Sequence, residues 1–125
     1  MSAATKQSIR PEIPSIGSQE DASKEERFQN EVLRPILKLQ HDVILAYFHH
    51  YLDRTKRSLN GLSGFEKKEL ISKAFSKDVS LKLELRGMVL GLLTKDEYLL
   101  YSEMSGTLNK RINNMLQERI QSVFL

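Results

Sequence analysis

The chain has 125 residues and a mass of 14.4 kDa, with 40% hydrophobic and 28% charged residues, which is the size and balance of one globular domain. It contains no cysteine, excluding disulfides, thiolate metal sites, iron–sulfur clusters and a cysteine nucleophile, and its three histidines make a thin ligand set. The net charge of +3 is spread so evenly that cutting after residues 22, 60 and 93 leaves no segment more than two charges from neutral, so nucleic acid is not an expected partner.

Residues 1–22 hold Pro11, Pro14 and Gly17 with no sustained apolar period, and read as an extended arm. They lack the apolar core of a secretory signal, and no apolar run in the chain nears the ~18 residues of a membrane span. A cytoplasmic protein without membrane association is the expectation. Ile9, Ile13 and Ile16 are too apolar for a solvated tail, and Pro11-x-x-Pro14 favours polyproline II. The arm is predicted to lie along a hydrophobic groove of its own domain or of a partner subunit.

From Ser23 onward three capping boxes punctuate the chain: Ser23-Lys-Glu-Glu26, Ser63-Gly-Phe-Glu66 and Thr94-Lys-Asp-Glu97. In each, the hydroxyl accepts from a backbone N–H while the Glu three residues later reaches back, which marks a helix start. The periodicity that follows predicts helices over 23–34, 35–57, 64–77, 79–93 and 95–123, the last interrupted near Ser105-Gly106. Pro35 lacks an N–H and its ring meets the carbonyl of Glu31, so a kink or restart is predicted there. The fold expectation is all-α: a single compact bundle of four to six helices over 23–125, with the N-terminal arm packed across it.

The run from Pro35 to Arg57 is the expected hub, because Leu33, Ile36, Leu37, Val43, Ile44, Tyr47, Phe48, Tyr51 and Leu52 spread over more than half its circumference. In 79–93, Leu81, Leu85, Met88, Val89 and Leu92 form one face, and Leu83 with Leu90 forms a second ridge nearly opposite. Gly87 and Gly91 each cost about 1 kcal/mol of helix propensity, and close approach of another helix, in this chain or in a symmetry mate, would compensate. Leu83, Gly87, Leu90 and Gly91 are therefore a candidate interface, with a homodimer as the expected partner arrangement. Tyr98, Leu99, Leu100 and Tyr101 are apolar almost all round their helix and are expected in the core first and at a subunit interface second.

Candidate chemistry concentrates at Gln40-His41-Asp42. Gln40 and His41 project into the apolar arc of their helix, where polar side chains need hydrogen-bond partners. Two readings fit: a satisfied pair that fixes helix register, or a binding or catalytic site. His49 and His50 point about 100° apart, which is poor for one metal, and no metal or cofactor is expected. Arg119 falls on the face of Leu108, Ile112, Met115, Leu116 and Val123, where it must snorkel, pair internally or line an anion pocket. Arg34 lies near His41 in projection, so Arg34, His41 and Arg119 converge on one anionic ligand if the two helices pack. Arg54, Lys56 and Arg57 fall at a predicted helix end, where cations complement the macrodipole, and Lys110-Arg111 reads as a solvated pair.

Ile9-Arg10-Pro11-Glu12-Ile13, Phe28-Gln29-Asn30, Leu33-Arg34-Pro35-Ile36-x-Lys38-x-Gln40-His41-Asp42 and Asn109-Lys110-Arg111-Ile112 carry a resemblance over nearly the whole chain from Ile9. On these residues it resembles a group of small, uncharacterised, all-helical bacterial proteins, some of which bear a glyoxalase label. The resemblance implies an all-helical fold and brings no catalytic motif. Glyoxalase chemistry is housed either in βαβββ modules with His and Glu ligands or in a His-rich metallo-β-lactamase fold, and neither pattern is visible in this sequence. The expected function is a non-enzymatic structural or protein-interaction module, probed against one rival. That rival is a small-molecule (anionic-ligand) binder or enzyme using Arg34, Gln40, His41, Asp42 and Arg119 around an internal pocket.

Overall fold

A computed structural model of the chain describes residues 5–13 and 21–124. The elements are α1 (Lys24–Phe28), a π-helical segment (Gln29–Leu33), α2 (Arg34–Leu39), α3 (His41–Arg54), α4 (Gly64–Lys77), α5 (Val79–Leu90), α6 (Lys95–Glu103) and α7 (Ser105–Phe124), with no strand among the described residues. Because α1, the π segment and α2 follow one another without a break, they count as one rod. The result is the all-α bundle expected, within its range of helix number.

Caps set the helix starts as the sequence implies. At α4 and α6 both halves of the box form, with Ser63 Oγ accepting from Glu66 N at 3.1 Å and Thr94 Oγ1 from Glu97 N at 3.2 Å. Ser23 supplies the forward half, accepting from Glu26 N at 3.1 Å. A further cap escaped the box pattern: Asp78, which ends α4, also starts α5 by accepting from Leu81 N at 3.1 Å. The last helical run breaks at Met104, one residue before the predicted Ser105-Gly106.

A helical boundary falls at Pro35 as expected: the π segment ends at Leu33 and α2 starts at Arg34, with Pro35 in its first turn. The π segment lies directly upstream, and Arg34 N–H bonds the Gln29 carbonyl five residues back, so the wider turn gives the proline ring room that an α turn denies it. A second, unpredicted break falls at Gln40, whose φ of −89° and ψ of 6° turn the chain between α2 and α3. The predicted 35–57 helix is thus two helices. The second ends three residues early in a Schellman motif: Lys56 N bonds Asp53 O at 3.1 Å and Arg57 N bonds Leu52 O at 2.9 Å, with Lys56 at a positive φ of 56°.

This division moves the centre of the fold. On α3 only Ile44, Phe48, Tyr51 and Leu52 are buried, and Val43 is exposed. The unbroken α7, 20 residues or ~30 Å long, packs against α3, α4, α5, α6 and the π segment, and it is the hub in place of the Pro35–Arg57 run. Its Leu108, Ile112, Leu116 and Ile120 are fully buried, and Gln121 and Gln117 tie it to α4 through Ser72 Oγ at 3.1 Å. The buried line advances in steps of four and so drifts round the helix. Val123 is left exposed and Arg119 stands at the edge of the core, not at its centre.

The arm is anchored by charge where isoleucines were expected to hold it. Arg10 forms a bidentate bridge to Glu97, Nη1 to Oε2 and Nη2 to Oε1 at 2.7 Å each, and Nη2 also donates to Leu92 O at 2.7 Å. Lys6 Nζ reaches Leu93 O at 3.1 Å, and Lys38 Nζ reaches Glu12 O at 3.3 Å. The described arm therefore runs from the α5–α6 corner to α2. Ile9 is exposed and Ile13 half-buried; Pro14, Ile16 and Gly17 lie outside the described residues.

Candidate functional site

Three of the five predicted site residues come together. Arg119 Nη1 lies 3.0 Å from His41 Nδ1, joining α7 to the first residue of α3. A guanidinium only donates, so His41 accepts at Nδ1 and carries its ring proton on Nε2. Arg34, from α2, lines the same cleft of about 420 Å³ with Gln29, Leu37, Met115, Glu118 and Ser122. Burial, and after it the positive charge of Arg34, push the Arg119 guanidinium below its ordinary pKa. Arg119 has no carboxylate partner among the described residues.

The other two predicted residues have different roles. Gln40 turns away, and its Nε2 donates to Met88 O at 3.0 Å, in the last turn of α5. That carbonyl is one of the four that a helix end leaves without an internal donor, so Gln40 caps α5 while it breaks the α2–α3 rod. Asp42 is exposed and lines a smaller hollow beyond His41, with Lys38, Leu39 and Arg119. Arg111 is not simply solvated: its Nη1 donates to Gln29 Oε1 at 2.7 Å, holding α7 to the π segment at the cleft wall. His49 and His50 are both exposed, and the His49 ring packs edge-on to Phe124 at 4.8 Å. No group of three or more His, Asp or Glu side chains is placed to hold a metal among the described residues.

On α5 the predicted interface residues separate. Leu83 is exposed and Gly87 faces open space, while Leu90 is partly buried against the core. Among the described residues, nothing comes within 4 Å of where a Cβ on Gly87 would sit. Gly91 instead ends α5, where an added Cβ would sit 3.1 Å from Gly87 O. Tyr101 is buried, its hydroxyl donating to Asn109 Oδ1, but Tyr98, Leu99 and Leu100 are exposed and lie outside the core that was their first expectation.

A larger groove, about 940 Å³, runs between the end of α3, α4 and the start of α5. Tyr51, Leu62, Leu70 and Ala74 supply apolar lining; Arg57, Lys73 and Lys77 face Glu66, Glu69 and Asp78 around it. Burial, and then the Asp78 charge, push the Tyr51 phenol up. At its rim stand Phe65, 73% exposed, and Val79, 60% exposed, with Leu83 one turn further along α5. Sequence reading passed over Phe65 as part of a cap. Its projection held the signal, because it lies six residues before buried Ile71 and so about 120° from the α4 core face.

No helix among the described residues is long and apolar enough to cross a membrane. Comparison with protein-family models, curated proteins and solved structures found no match for this chain.

Proposed function

We propose that the chain is a protein-interaction module that pairs with a second copy of itself through the α4–α5 groove. The observation that supports this reading is Phe65, a large aromatic side chain held in solvent at the rim of an apolar-floored groove that continues into exposed Val79 and Leu83. Knob and hole lie side by side on one surface, so a two-fold axis brings the Phe65 of each copy to the groove of the other. The rim carries three cations and three anions, Arg57, Lys73 and Lys77 with Glu66, Glu69 and Asp78. Such a balanced rim suits a copy of itself better than a strongly charged partner. Gly87 leaves the α5 surface low beside Leu83, which favours close approach of the symmetry mate.

A stable pair needs about 800 Å² from each partner, roughly a tenth of the chain's 7807 Å² surface. Native mass spectrometry and sedimentation at protein concentrations on the order of 100 µM test the proposal. The expected species is twice 14.4 kDa, with Phe65→Asp and Leu83→Asp each giving monomer and an unchanged helical circular-dichroism spectrum. A wild-type monomer under those conditions refutes self-pairing. A dimer indifferent to both substitutions refutes this face.

A further inference from the structure

We propose that the corner between α5 and α6 is a receptor for an arginine-bearing protein segment, which the chain's own arm fills in cis and the arm of a second copy fills in trans. The corner shares no residue with the pairing groove and stands apart from that reading.

The receptor is built by the body of the fold. Glu97 is aimed by the capping box of α6, where its Oε1 accepts from Thr94 N at 2.9 Å, and that device lies wholly within Thr94–Glu97. Beside it stand the Leu92 and Leu93 carbonyls, just past the end of α5, and no backbone N–H among the described residues takes either. Leu93 is 3% exposed and its N–H bonds Leu90 O at 3.1 Å, so the connection between the helices is held by the core and not by the arm. One carboxylate and two carbonyls thus converge as a preorganised set of acceptors. Burial pushes the Glu97 carboxyl up, and Arg10, the Thr94 N–H and Gln7 together bring it down to about 2. A corner without a cation is therefore the costly state.

The arm is built as a separable ligand. Thr5 and Ser8 fold it on itself: Thr5 N bonds Ser8 Oγ at 2.6 Å, Ser8 N bonds Thr5 Oγ1 at 2.9 Å, and Ile9 N bonds Thr5 O at 3.2 Å. Its grip on the corner runs through three side chains: Lys6 on Leu93 O, Gln7 on Glu97 Oε2 at 3.4 Å, and Arg10 on Glu97 and Leu92 O. Among the described residues no backbone group of residues 5–10 bonds the body, and Ile9 stays exposed. Recognition of this kind reads a Lys-x-x-x-Arg spacing and does not depend on which chain supplies it. Arginine is selected by the fork, because a bidentate hold on Glu97 with a third bond to Leu92 O needs a planar group of several donors, which an ammonium does not present.

The probe is a synthetic peptide of Thr5–Ile13, titrated by calorimetry into full-length chains. Arg10→Ala empties the corner and should bind the peptide with a Kd on the order of 10–100 µM. In the wild type the arm's own arginine competes at an effective concentration on the order of 1 mM, so the peptide should bind at least about thirtyfold more weakly. Glu97→Gln preserves the capping box but not the carboxylate, and should not bind. Arg10→Lys is the milder variant should Arg10→Ala unfold, and is expected to fall between it and the wild type. The receptor is overturned if neither Arg10 variant binds, if the peptide carrying Arg10→Ala binds as well, or if wild type and Arg10→Ala bind alike. For the second copy, Arg10→Ala and Glu97→Gln chains are mixed, both carrying Phe65→Asp so that groove pairing does not contribute. Native mass spectrometry at about 100 µM should show a mixed pair, one copy lending its arm and the other its corner, without like pairs. Like pairs in equal amount, or no mixed pair, overturn exchange between copies.

Discussion

Removing the arm's anchor, Arg10→Ala, should destabilise the protein by about 2–3 kcal/mol. The side chains of Arg10 and Glu97 are only 7% and 13% exposed, and Arg10 makes two charge-assisted bonds to Glu97 and a third to Leu92 O. Hydrogen bonds to charged groups contribute ~1.5–3 kcal/mol each, from which the entropy of ordering residues 5–13 must be subtracted. For a chain of this size the net loss corresponds to a Tm lower by about 8–12 °C. The pH dependence gives a second signature. Burial alone would raise the Glu97 carboxyl, but the Arg10 bridge, the Thr94 N–H and Gln7 together hold it at about 2, against an ordinary value of 4.5. Its folded pKa is depressed, so the unfolded chain binds the extra proton between those values and stability rises with pH there. The bridge therefore contributes fully above pH 4.5 and its contribution is lost as pH falls toward 2. Thermal unfolding of wild type and Arg10→Ala at pH 7, 5, 4 and 3 should show the gap in Tm closing at the acid end. A gap below about 2 °C at pH 7, or one of constant size down to pH 3, refutes the ionic anchor and leaves Arg10 as packing.

Other predictions follow from single residues. Lys56→Gly relieves the positive φ of the Schellman motif and should add about 0.5–1 kcal/mol, seen as a higher urea midpoint at unchanged m. Gln40→Met keeps the bulk but removes the donor to Met88 O, and should cost about 1–1.5 kcal/mol with faster amide exchange in the last turn of α5. Leu116→Ala in α7 should cost about 3–4 kcal/mol, whereas exposed Val43→Ala should stay within about 0.5 kcal/mol; comparable losses at both positions in urea unfolding would refute α7 as the hub.

What the sequence made legible was local. The boxes at Ser63 and Thr94 place helix starts because both halves of the device lie within four residues, and such short-range chemistry survives any tertiary arrangement. Pro35 marks a boundary as its missing N–H implies, but the π turn upstream that gives its ring room has no signal in the sequence. Gln40 gives no breaker signal of its own; its turn is held by a bond to Met88, 48 residues away. The arm's anchor was hidden for the same reason, since Arg10 and Glu97 are 87 residues apart and nothing in the spacing links them. Tyr98, Leu99 and Leu100 show the limit of composition: an apolar run on a nine-residue helix turns one side to α7, with Tyr101, and leaves its other residues in solvent.

The unpredicted break at Gln40 and the meeting of Arg34, His41 and Arg119 at one cleft are linked. On a straight helix Arg34 and His41, seven residues apart, would project within about 20° of each other and lie ~10 Å apart along the axis. The turn at Gln40 separates the two helices on which they sit, and α7 brings Arg119 to the cleft that both line. A continuous 35–57 helix would have given a packed seam with Arg119 driven out to solvent, because a guanidinium without an acceptor is not retained in an apolar interface. The break lies directly before His41, and the capping bond from Gln40 to Met88 O ties it to α5. Gln40, expected as a ligand-binding residue, does not line the cleft but forms the turn directly before His41 and donates to Met88 O on α5. Gln40→Met should consequently shift the His41 imidazole resonances as well as lower stability, and Gln40→Glu, which cannot donate to Met88 O when ionised, should do the same. Unchanged His41 resonances in both variants would mean that the cleft is held by α7 packing alone.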